Sequence, residues 1–436
     1  MSAKFLSKKE VVVWGTGREG QSAVLFMREI APDVRLCFVD EKENLDQEML
    51  EGVQIVTGDR IKEKVLNADI VVKSPGISFY HPFLFERRQR GKNSTSLTNM
   101  WLQQNADAFV VGITGSKGKS TTTSLLAHVL NKNGVRAMAV GNIGVPLSKD
   151  ISAHDADCFV LELSSYQCAD LCFPCKIGVV TTLFPEHLDW HRTLPNYYRD
   201  KANLLCNSQI RLASFQASEI LQREKISLPE LKLFAPVTEK KGIFSYQGEQ
   251  IREIKNAFLR RKHNLLNVAA VLSISEILNI SADKILSAME TYEELPHRQH
   301  SIMSPRGYLL VDDSISTAPE ATMAAIEAYS DRAIVLIVGG YDRGLDYEGL
   351  SQFIFEKNVH SVICMGESGR RLFQLLKKLK KENIFFEETL ERAIEKAKKQ
   401  VPPQGAIILS PAAPSYDQFK SYEEKGKAFV SLCLGG

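Results

Sequence analysis

Long apolar runs are missing from this sequence, which nowhere approaches the roughly 20 consecutive apolar residues that a membrane-spanning helix requires. A large charge excess is missing too. The formal net charge of the 436 residues is only +2, which argues against nucleic acid or an anionic membrane as the main partner. The start, MSAKFLSKKEVVVWG, has neither a long apolar segment nor a small-residue cleavage site. We therefore expect a cytoplasmic protein that has no membrane span and binds no nucleic acid.

Cysteine is sparse, and its eight residues are scattered as expected for reduced thiols rather than for a disulfide framework. The sequence also lacks internal repeats and low-complexity tracts. Its content of 44% hydrophobic and 24% charged residues is typical of a globular protein with a large core. Because a chain of this length exceeds what one core usually supports, we expect two or three domains.

Short β-branched runs alternate with helix-like segments at both ends of the chain, which predicts parallel α/β sheets. Residues 210–253 instead carry turn signals such as GIFSYQGEQ and predict antiparallel hairpins or a loop-rich insert. Helical spacing follows at 260–278 and 281–293. We place domain boundaries near Leu97 and Gln299. The predicted strands are residues 11–14, 34–40, 69–73, 108–114, 158–163, 177–183, 308–313, 333–340, 359–365 and 406–409.

A glycine turn joins a strand-like segment to a helix-compatible run in VVGITGSKGKSTTTS, residues 110–124. In a phosphate loop of this plan, backbone N–H groups bind phosphate oxygens, a lysine meets the outer phosphates and a hydroxyl ligates Mg²⁺. Lys119 and Ser120 stand at these positions. Gly112 lies one residue too far from Gly118 for the commonest spacing. An ordinary glycine-rich turn is the alternative, which the order of strand, turn and helix disfavours.

Residues 114–120, TGSKGKS, resemble the phosphate loop of the Mur ligases, whose pattern is T-G-x-x-G-K-[ST]. The resemblance extends over nearly the whole chain. Its further motifs are SPGI (74–77), GNIG (141–144), ELSSYQ (162–167), PEHLD (185–189), Lys201, HN (263–264), PHR (296–298), DS (313–314), LSP (409–411) and DQF (417–419).

The Mur ligase resemblance implies an α/β fold of three domains. These are a Rossmann-like UDP-binding domain (1–97), a central P-loop ATPase domain with a mixed sheet (98–299) and a Rossmann-like C-terminal domain that brings the amino acid (300–436). The implied reaction of peptidoglycan precursor synthesis activates the carboxylate of UDP-N-acetylmuramoyl-L-alanine as an acyl phosphate, which an amino acid then attacks. We expect a monomer whose domains close during turnover.

The resemblance also implies the ATP and metal site. A transferring phosphoryl group needs charge neutralisation and alignment, so two Mg²⁺ ions are expected on Ser120, Glu162, His187 and Lys201. Lys201 would serve as a carbamate, because an ammonium cannot ligate a cation. Lys119, Glu162, His187 and Lys201 are the implied catalytic residues. Taken singly, Glu162 could be a surface carboxylate and His187 a polar loop histidine. The implied ATP contacts are Thr114, Gly115, Ser116, Lys117, Gly118, Lys119, Ser120, Thr121, Asn264, Arg298 and Asp313.

A second glycine turn, from Gly15 to Gly20, follows the strand-like VVVW, and Asp40 completes a dinucleotide fingerprint. An NAD-dependent dehydrogenase is therefore one interpretation. The same turn binds any pyrophosphate, however, and a simple dehydrogenase has no use for the phosphate loop downstream. We favour UDP. The predicted contacts with the UDP-linked substrate are Arg18, Glu19, Asp40, Ser74, Gly76, Asn142 and His187.

Three cysteines, Cys168, Cys172 and Cys175, have the C-x₃-C-x₂-C spacing of the iron–sulfur loop in radical enzymes. No barrel pattern accompanies them. Free cysteine also packs well as a small apolar residue. We therefore predict that these cysteines are packing residues at a helix end.

The segment LSPAAPSYDQFKSYEEKG resembles glutamate-adding Mur ligases, in which Thr317, Ser415 and Tyr422 would contact glutamate. Arg343 would replace a carboxylate-binding lysine. D-glutamate-adding members read D-S-K-A-T where this chain reads DSIST from Asp313, so a cation is lost. The lost cation argues against the usual stereochemistry. Arg18-Glu19, Lys117, Thr182 in place of asparagine, and PEHLDWH resemble a sub-branch that adds L-glutamate and depends on a later epimerase. We expect L-glutamate; D-glutamate, a folylpolyglutamate-type ligase and a binding-only UDP-sugar sensor are the alternatives.

Overall fold

The computed structural model describes residues 6, 9–41, 53–145, 147–148, 151–240, 242–342, 344–357 and 359–435. The chain divides into two compact units between Tyr292 and Glu293. Among the described helices, none is both long and apolar enough to cross a membrane. The described residues form three sheets in the first unit and one in the second. The domain boundaries near Leu97 and Gln299 stay predictions.

Buried valines form the centre of the first sheet, whose described strands pair in parallel in the order β3-β2-β1-β4-β5. Residues 11–14 of β1 are fully buried because a parallel sheet is covered on both faces. Because the glycine turn directly follows the last residue of β1, it lies at the carboxyl edge of this sheet. The elements are β1 (Glu10–Trp14), α1 (Arg18–Ile30), β2 (Arg35–Val39), β3 (Gln54–Val56), α2 (Arg60–Asn67), β4 (Ile70–Lys73), α3 (Pro82–Gln89), β5 (Ser94–Thr95) and α4 (Leu97–Gln104).

The second sheet is parallel in all its described pairs, in the order β11-β10-β9-β6-β8-β7. Alternate residues of β6 pack on opposite faces. The elements are β6 (Val110–Thr114), α5 (Lys119–Lys132), β7 (Ala137–Gly141), β8 (Cys158–Glu162), α6 (Ser165–Cys168), β9 (Cys175–Val180), α7 (Leu188–His191), α8 (Leu194–Cys206), β10 (Ser208–Ser214), α9 (Phe215–Arg223), β11 (Lys232–Phe234), a 3₁₀ turn (Lys262–Asn264), α10 (Leu265–Ile277) and α11 (Ala282–Met289).

The expected antiparallel insert at 210–253 is wrong in its first half. There, β10 and β11 extend the parallel sheet and are joined by α9. The mixed polarity of SQIRLAS misled the prediction, because its outer residues lie partly exposed beside the sheet edge. Its second half is confirmed. The strands β12 (Thr238–Lys240), β13 (Ile243–Tyr246) and β14 (Glu249–Ile251) form a separate antiparallel sheet, so the predicted mixed sheet is divided into two.

The second unit has a six-stranded sheet in the order β15-β16-β20-β17-β18-β19, in which only the β15–β16 pair is antiparallel among the described pairs. The strand order reverses beside β20, which makes its carboxyl edge a typical ligand crevice. The elements are β15 (His300–Met303), β16 (Leu309–Asp312), α12 (Pro319–Ala328), β17 (Ile334–Val338), α13 (Glu348–Glu356), β18 (Ser361–Met365), α14 (Gly366–Lys378), β19 (Ile384–Glu387), α15 (Leu390–Gln400), β20 (Ala406–Leu409) and α16 (Tyr422–Leu434).

Candidate active site

The phosphate loop is a tight turn between β6 and α5. Gly115 has φ +155° and Gly118 has φ +87°, conformations that side chains rarely adopt. A Cβ atom on Gly115 would lie 2.0 Å from Thr181 Oγ1, and one on Gly118 would lie 2.3 Å from Asn267 Oδ1. Both glycines are therefore required by their surroundings. The turn directs the N-terminus of α5, with its free N–H groups, toward the carboxyl edge of the sheet.

Two lysines converge on this loop. Lys119 Nζ donates to the carbonyls of Gly115 (2.9 Å) and Ser116 (3.1 Å), and Lys201 Nζ donates to Gly115 (2.8 Å). Burial, together with the nearby charge of Lys119, lowers the pKa of Lys201 to about 7. Two cationic groups sharing one carbonyl favour an anion beside them.

The loop is also tied to the segment that follows β9. Ser116 Oγ accepts a hydrogen bond from Phe184 N (2.7 Å) and shares another with the Tyr197 hydroxyl (2.6 Å). Lys117 N donates to Thr182 Oγ1 (2.9 Å), and its ammonium pairs with Glu186 (2.8 Å). Contacts within the protein therefore hold the loop in its conformation.

Glu162 ends β8 in the register position beside Ile113 of β6. Its side chain is 4% exposed, and its Oε2 atom is buried without a hydrogen-bond partner. A buried carboxylate oxygen without a partner is costly, and a cation would satisfy it. The charge of Glu162 also acts on Lys201, so the two side chains share one environment.

His187 adopts a left-handed conformation with φ 56° and packs edge-on against Tyr166 at 5.2 Å between ring centroids. Burial lowers the pKa of His187 to about 4, and the charges of Lys201 and Lys119 act in the same direction. A neutral imidazole is the form that ligates metals. No cluster of three or more His, Cys, Asp or Glu side chains that could hold a metal was found in the described part of the chain.

The first glycine turn is stabilised by Asp40, whose Oδ2 accepts from Thr16 N (2.9 Å) and Thr16 Oγ1 (2.8 Å). Asp40 thus supports the turn directly, in addition to any ligand role that the fingerprint predicts. A Cβ on Gly20 would lie 2.0 Å from the Gly15 carbonyl oxygen. Ser74 Oγ donates to the same carbonyl at 3.3 Å. Ser74 and the turn therefore lie together, as the predicted UDP site requires.

Glu19 extends from α1 toward the central sheet, where its Oε1 accepts from Gln167 Nε2 at 2.8 Å. Burial raises the pKa of Glu19 to about 7. Beside it, the buried Lys73 pairs with Asp170 at 3.4 Å. These contacts hold the predicted UDP residues against the ELSSYQ segment. Asn142 follows β7 and donates its N–H to the Glu162 carbonyl at 3.4 Å, whereas Gly76 has open space around it and the side chain of Arg18 lies outside the described part.

Asn264 is linked to α5, the helix that follows the phosphate loop, through the side chain of Asn267. Its Oδ1 accepts from Asn267 Nδ2 at 3.0 Å, and Asn267 Oδ1 accepts from Thr122 Oγ1 at 3.2 Å. Asn264 Nδ2 itself donates to the Phe258 carbonyl at 2.9 Å. Thr121, one residue before Thr122, is buried in the first turn of α5. The predicted nucleotide-side residues in the first unit therefore form one connected group.

In the second unit, Asp313 follows β16 and is fully buried. Its carboxylate accepts from Ser316 Oγ (2.6 Å), Ser410 Oγ (2.7 Å) and Gln299 N (3.2 Å). Burial raises the pKa of Asp313 to about 6, and the charge of Arg298 opposes that rise. Asp313 thus joins the turns after β16 and β20. Its predicted contact with ATP stays a prediction, as does that of Arg298.

Three of the four predicted glutamate residues, Thr317, Ser415 and Tyr422, lie in the described segments that follow β16 and β20. Ser415 is 3% exposed, and its Oγ has no hydrogen-bond partner. Tyr422 begins α16 with its ring 6.1 Å from that of His297, which is held at φ 65°. Thr317 is half-buried after the DSIS segment. Arg343 lies outside the described residues.

Comparison with known proteins gives a consistent result. Three family models match: the Mur ligase MurD-like N-terminal domain at residues 9–96, the Mur ligase middle domain at 113–215 and the Mur ligase glutamate ligase domain at 297–413. A protein of Salinispora tropica is 38% identical over 98% of this chain and 97% of its own length, and one of Xanthomonas axonopodis pv. citri is 35% identical over 98% and 95%. The chain belongs to the Mur ligase family. Both relatives are named UDP-N-acetylmuramoyl-L-alanine–L-glutamate ligase.

Solved structures support the Mur ligase fold. The UDP-N-acetylmuramate-alanine ligase of Thermotoga maritima superposes with a TM-score of 0.62 at 18% identity, covering 97% of this chain and 98% of that one. The MurF ligase of the same organism, solved with ADP, gives 0.59 at 16%, covering 99% and 96%. The three-domain α/β architecture expected for a Mur ligase is therefore confirmed.

Cys168 and Cys175 of this Mur ligase lie in a hydrophobic core, as the packing interpretation predicts, whereas Cys172 is exposed. Their side chains pack with Leu204 and the ring of Phe159 in the same cluster. Burial raises the pKa of Cys175 to about 12 and that of Cys168 to about 11. Both thiols are therefore protonated and unreactive at neutral pH.

Sequence reasoning missed two buried polar residues of this Mur ligase, His191 and Lys425. His191 is fully buried between Ser165 and Asp200, although it stands in the PEHLDWH segment that already departed from the commoner pattern. Lys425 is also fully buried, and its Nζ donates to the Gly339 carbonyl at 3.1 Å. Burial lowers the pKa of Lys425 to about 8. Its position three residues after Tyr422 on α16 was the available signal.

Proposed function

We propose that this Mur ligase joins the carboxylate of UDP-N-acetylmuramoyl-L-alanine to the amine of L-glutamate at the expense of ATP. The observation that carries the proposal is the convergence of Lys119 and Lys201 on the Gly115 carbonyl, in a phosphate loop shared with Glu162 and its unpaired oxygen. The choice of L-glutamate is supported by the two relatives of that name and by Ile315 in place of a lysine.

In the proposed reaction, a carboxylate oxygen of the substrate attacks the γ-phosphorus of ATP and ADP leaves, which gives an acyl phosphate. The glutamate amine then attacks the acyl carbon, the bond to phosphate breaks, and the amine loses a proton. Lys119 would neutralise charge on the transferred phosphoryl group, while the loop N–H groups hold its oxygens in line. The protein contributes position and charge rather than a covalent intermediate.

We propose that two Mg²⁺ ions bind beside the phosphate loop, as the resemblance implies. Ser120, the unpaired oxygen of Glu162, the neutral ring of His187 and a carbamate on Lys201 would hold the metal. Bound Mg²⁺ supplies neutralisation of the phosphate oxygens. Lys201 is 2% exposed beside the loop, where a carbamate would replace one of two adjacent positive charges with a negative one. Carbamylation would thus relieve the repulsion between Lys119 and Lys201.

We also propose a division of labour among residues 1–97, 98–299 and 300–436 for UDP, ATP and glutamate, in a monomer. The use of ATP and a UDP-linked precursor suggests the cytoplasm as its compartment, and an L-glutamate product would require a downstream epimerase. The proposed UDP-side residues are Arg18, Glu19, Asp40, Ser74, Gly76, Asn142 and His187. The proposed nucleotide residues are 114–121, Asn264, Arg298 and Asp313, and those for glutamate are Thr317, Arg343, Ser415 and Tyr422.

The decisive experiment incubates purified protein with UDP-N-acetylmuramoyl-L-alanine, ATP and Mg²⁺, and offers L- and D-glutamate separately. Phosphate release and the mass of the product are measured together. We expect one glutamyl addition with L-glutamate and little with D-glutamate. Addition of D-glutamate alone would overturn the isomer, and glutamylation of a folate but not of the UDP substrate would overturn the substrate class. Absence of ATP consumption with every acceptor would overturn the ligase proposal.

A further inference from the structure

Four polar side chains form a hydrogen-bonded chain from the N-terminal sheet region to the active site. Tyr80, which follows the SPGI motif, donates its hydroxyl to Asp200 Oδ1 at 2.9 Å. Asp200 Oδ2 lies 2.6 Å from His191 Nδ1, and His191 Nε2 lies 2.9 Å from Ser165 Oγ. A carboxylate can only accept, so Nδ1 donates to Asp200, and in that tautomer Nε2 accepts from Ser165.

The order of serine, histidine and aspartate is that of a hydrolytic triad, but the surroundings argue against nucleophilic catalysis. His191 is completely buried, and Ser165 and Asp200 are 3% and 5% exposed. The rings of Trp190 and Tyr197 pack on His191 at 4.5 and 5.1 Å between centroids. An acyl group has no access to Ser165, so the network serves to position its neighbours.

The neighbours are the residues of the proposed phosphoryl-transfer site. Asp200 directly precedes Lys201 on α8, so anchoring its carboxylate restricts rotation and sliding of that helix. Tyr197, one turn earlier, shares a hydrogen bond with Ser116 Oγ (2.6 Å), and its ring centroid lies 5.2 Å from Lys201 Nζ. The helix is therefore held on both sides of Lys201, by Asp200 through His191 and by Tyr197 through the phosphate loop.

The SPGI segment is docked on the same elements. Trp190 Nε1 donates to the Pro75 carbonyl at 2.9 Å, and Ser78 Oγ donates to the Trp190 carbonyl at 2.6 Å. With Tyr80, these contacts join the segment after β4 to both α7 and α8. A change in the conformation of the SPGI segment would therefore act directly on α8, the helix that bears Lys201.

We propose that His191 is a positioning residue, which through Asp200 holds Lys201 against the phosphate loop and through Tyr80 links Lys201 to the SPGI segment. This inference rests on the proposed function for the reaction that it supports. It adds His191, Asp200 and Tyr80 to the residues on which the ligase depends, although none of them would touch ATP, metal or substrate.

The test replaces His191 with phenylalanine, which keeps a ring of similar size and removes both hydrogen bonds. Residues that orient a metal ligand typically contribute about 10- to 100-fold to activity, so we expect a kcat loss in that range with KM for ATP near the parent value. With ¹³C-labelled bicarbonate, the carbamate signal that Lys201→Ala abolishes should weaken in His191→Phe. His191→Asn, whose amide N–H can still donate to Asp200, should recover part of both. The matched control is His128→Phe, a change in a histidine that contacts Ala288 and Thr291 instead.

Tyr80→Phe removes only the hydroxyl and should give a smaller kcat loss, accompanied by a higher KM for the UDP substrate. A His191→Phe protein with parental kcat and parental carbamate signal would overturn the positioning role, even if its melting temperature fell. If the parent itself fails to ligate, the proposed function is wrong, and the carbamate signal alone then decides the role of His191. A parent with neither ligation nor carbamate would overturn both.

Discussion

The phosphate loop and the carboxyl edge of the C-terminal sheet both follow buried parallel strands. They differ in which of their buried polar side chains have hydrogen-bond partners in the protein. Around the loop, the donors Lys119, Lys201 and Ser116 are hydrogen-bonded to the protein, whereas the Oε2 atom of the acceptor Glu162 is buried without a partner. At the C-terminal edge, the hydroxyls of Ser314 and Ser415 are buried without a hydrogen-bond partner. Leaving such a group unsatisfied costs about 1–3 kcal/mol. We interpret the first region as preorganised for a common cofactor and the second as completed by the amino acid.

The largest effect should come from the preorganised region. Lys119→Ala removes the ammonium that we expect to meet the transferred phosphoryl group, and loss of one such preorganised donor reduces turnover by about 10²- to 10³-fold. ATP-dependent phosphate release measures the loss. Lys132→Ala, an exposed lysine in the last turn of the same helix, is the matched control and should be neutral. Parental turnover in Lys119→Ala would remove the proposed mechanism.

Lys201→Ala should reduce turnover by roughly 100-fold, because the metal would lose one carboxylate ligand. Formate or acetate should restore part of the activity by supplying that carboxylate from solution. The same acids should do nothing for Lys119→Ala, whose missing group is a cation. If Lys201→Ala were rescued by an added amine instead, the lysine would act as an ammonium rather than as a carbamate.

Lys425 is a buried ionisable residue of the second unit, so the stability of that unit should depend on pH. The pKa of Lys425 falls from its ordinary value of 10.5 to about 8 in the fold, so between these values the unfolded chain binds more protons. The free energy of unfolding should therefore rise with pH across that window, by roughly 3 kcal/mol at about 1.4 kcal/mol per pKa unit. Below pH 8 the full cost of the buried charge is present.

Urea unfolding of the parent and of Lys425→Met at pH 7 and pH 10 measures this cost. The variant should lack the rise, so the difference between the two proteins should shift in favour of the parent at the higher pH. Lys427→Met, an exposed lysine two residues further along α16, should follow the parent. Equal pH dependence in all three proteins would show that Lys425 has no special protonation state.

The smallest effect should be the most specific. Ser415→Ala removes a buried hydroxyl that has no hydrogen-bond partner, so stability should be unchanged or slightly higher. The KM for glutamate should rise about tenfold, because a hydrogen bond to a charged group contributes about 1.5–3 kcal/mol. Ser410→Ala provides the contrast, since its hydroxyl donates to Asp313 and its loss should destabilise the unit. A destabilised Ser415→Ala with parental KM would reverse the interpretation of the two regions.

Sequence patterns predicted the buried strands well, because runs such as VVVW and VVGIT can only be covered on both faces. The short strands Gln54–Val56 and Ser94–Thr95 were not predicted, because edge strands need few apolar residues. Glu162 and Lys201 were found through motif spacing, whereas the pairing of His191 with Ser165 could not be, because 26 positions separate them and only the fold brings them together. Nor could a sequence pattern predict that the hydroxyl of Ser415 would be buried without a hydrogen-bond partner.

Gly118 owes its conformation partly to a residue far along the chain. Asn267, which would collide with any side chain at Gly118, also accepts a hydrogen bond from Thr122 across 145 positions of sequence. During synthesis on the ribosome, the phosphate loop therefore emerges well before Asn267. The loop can reach its final conformation only after α10 has been synthesised. A nascent chain arrested before Leu265 should fail to retain ATP, so binding of the nucleotide reports that the first unit has been synthesised almost to its end.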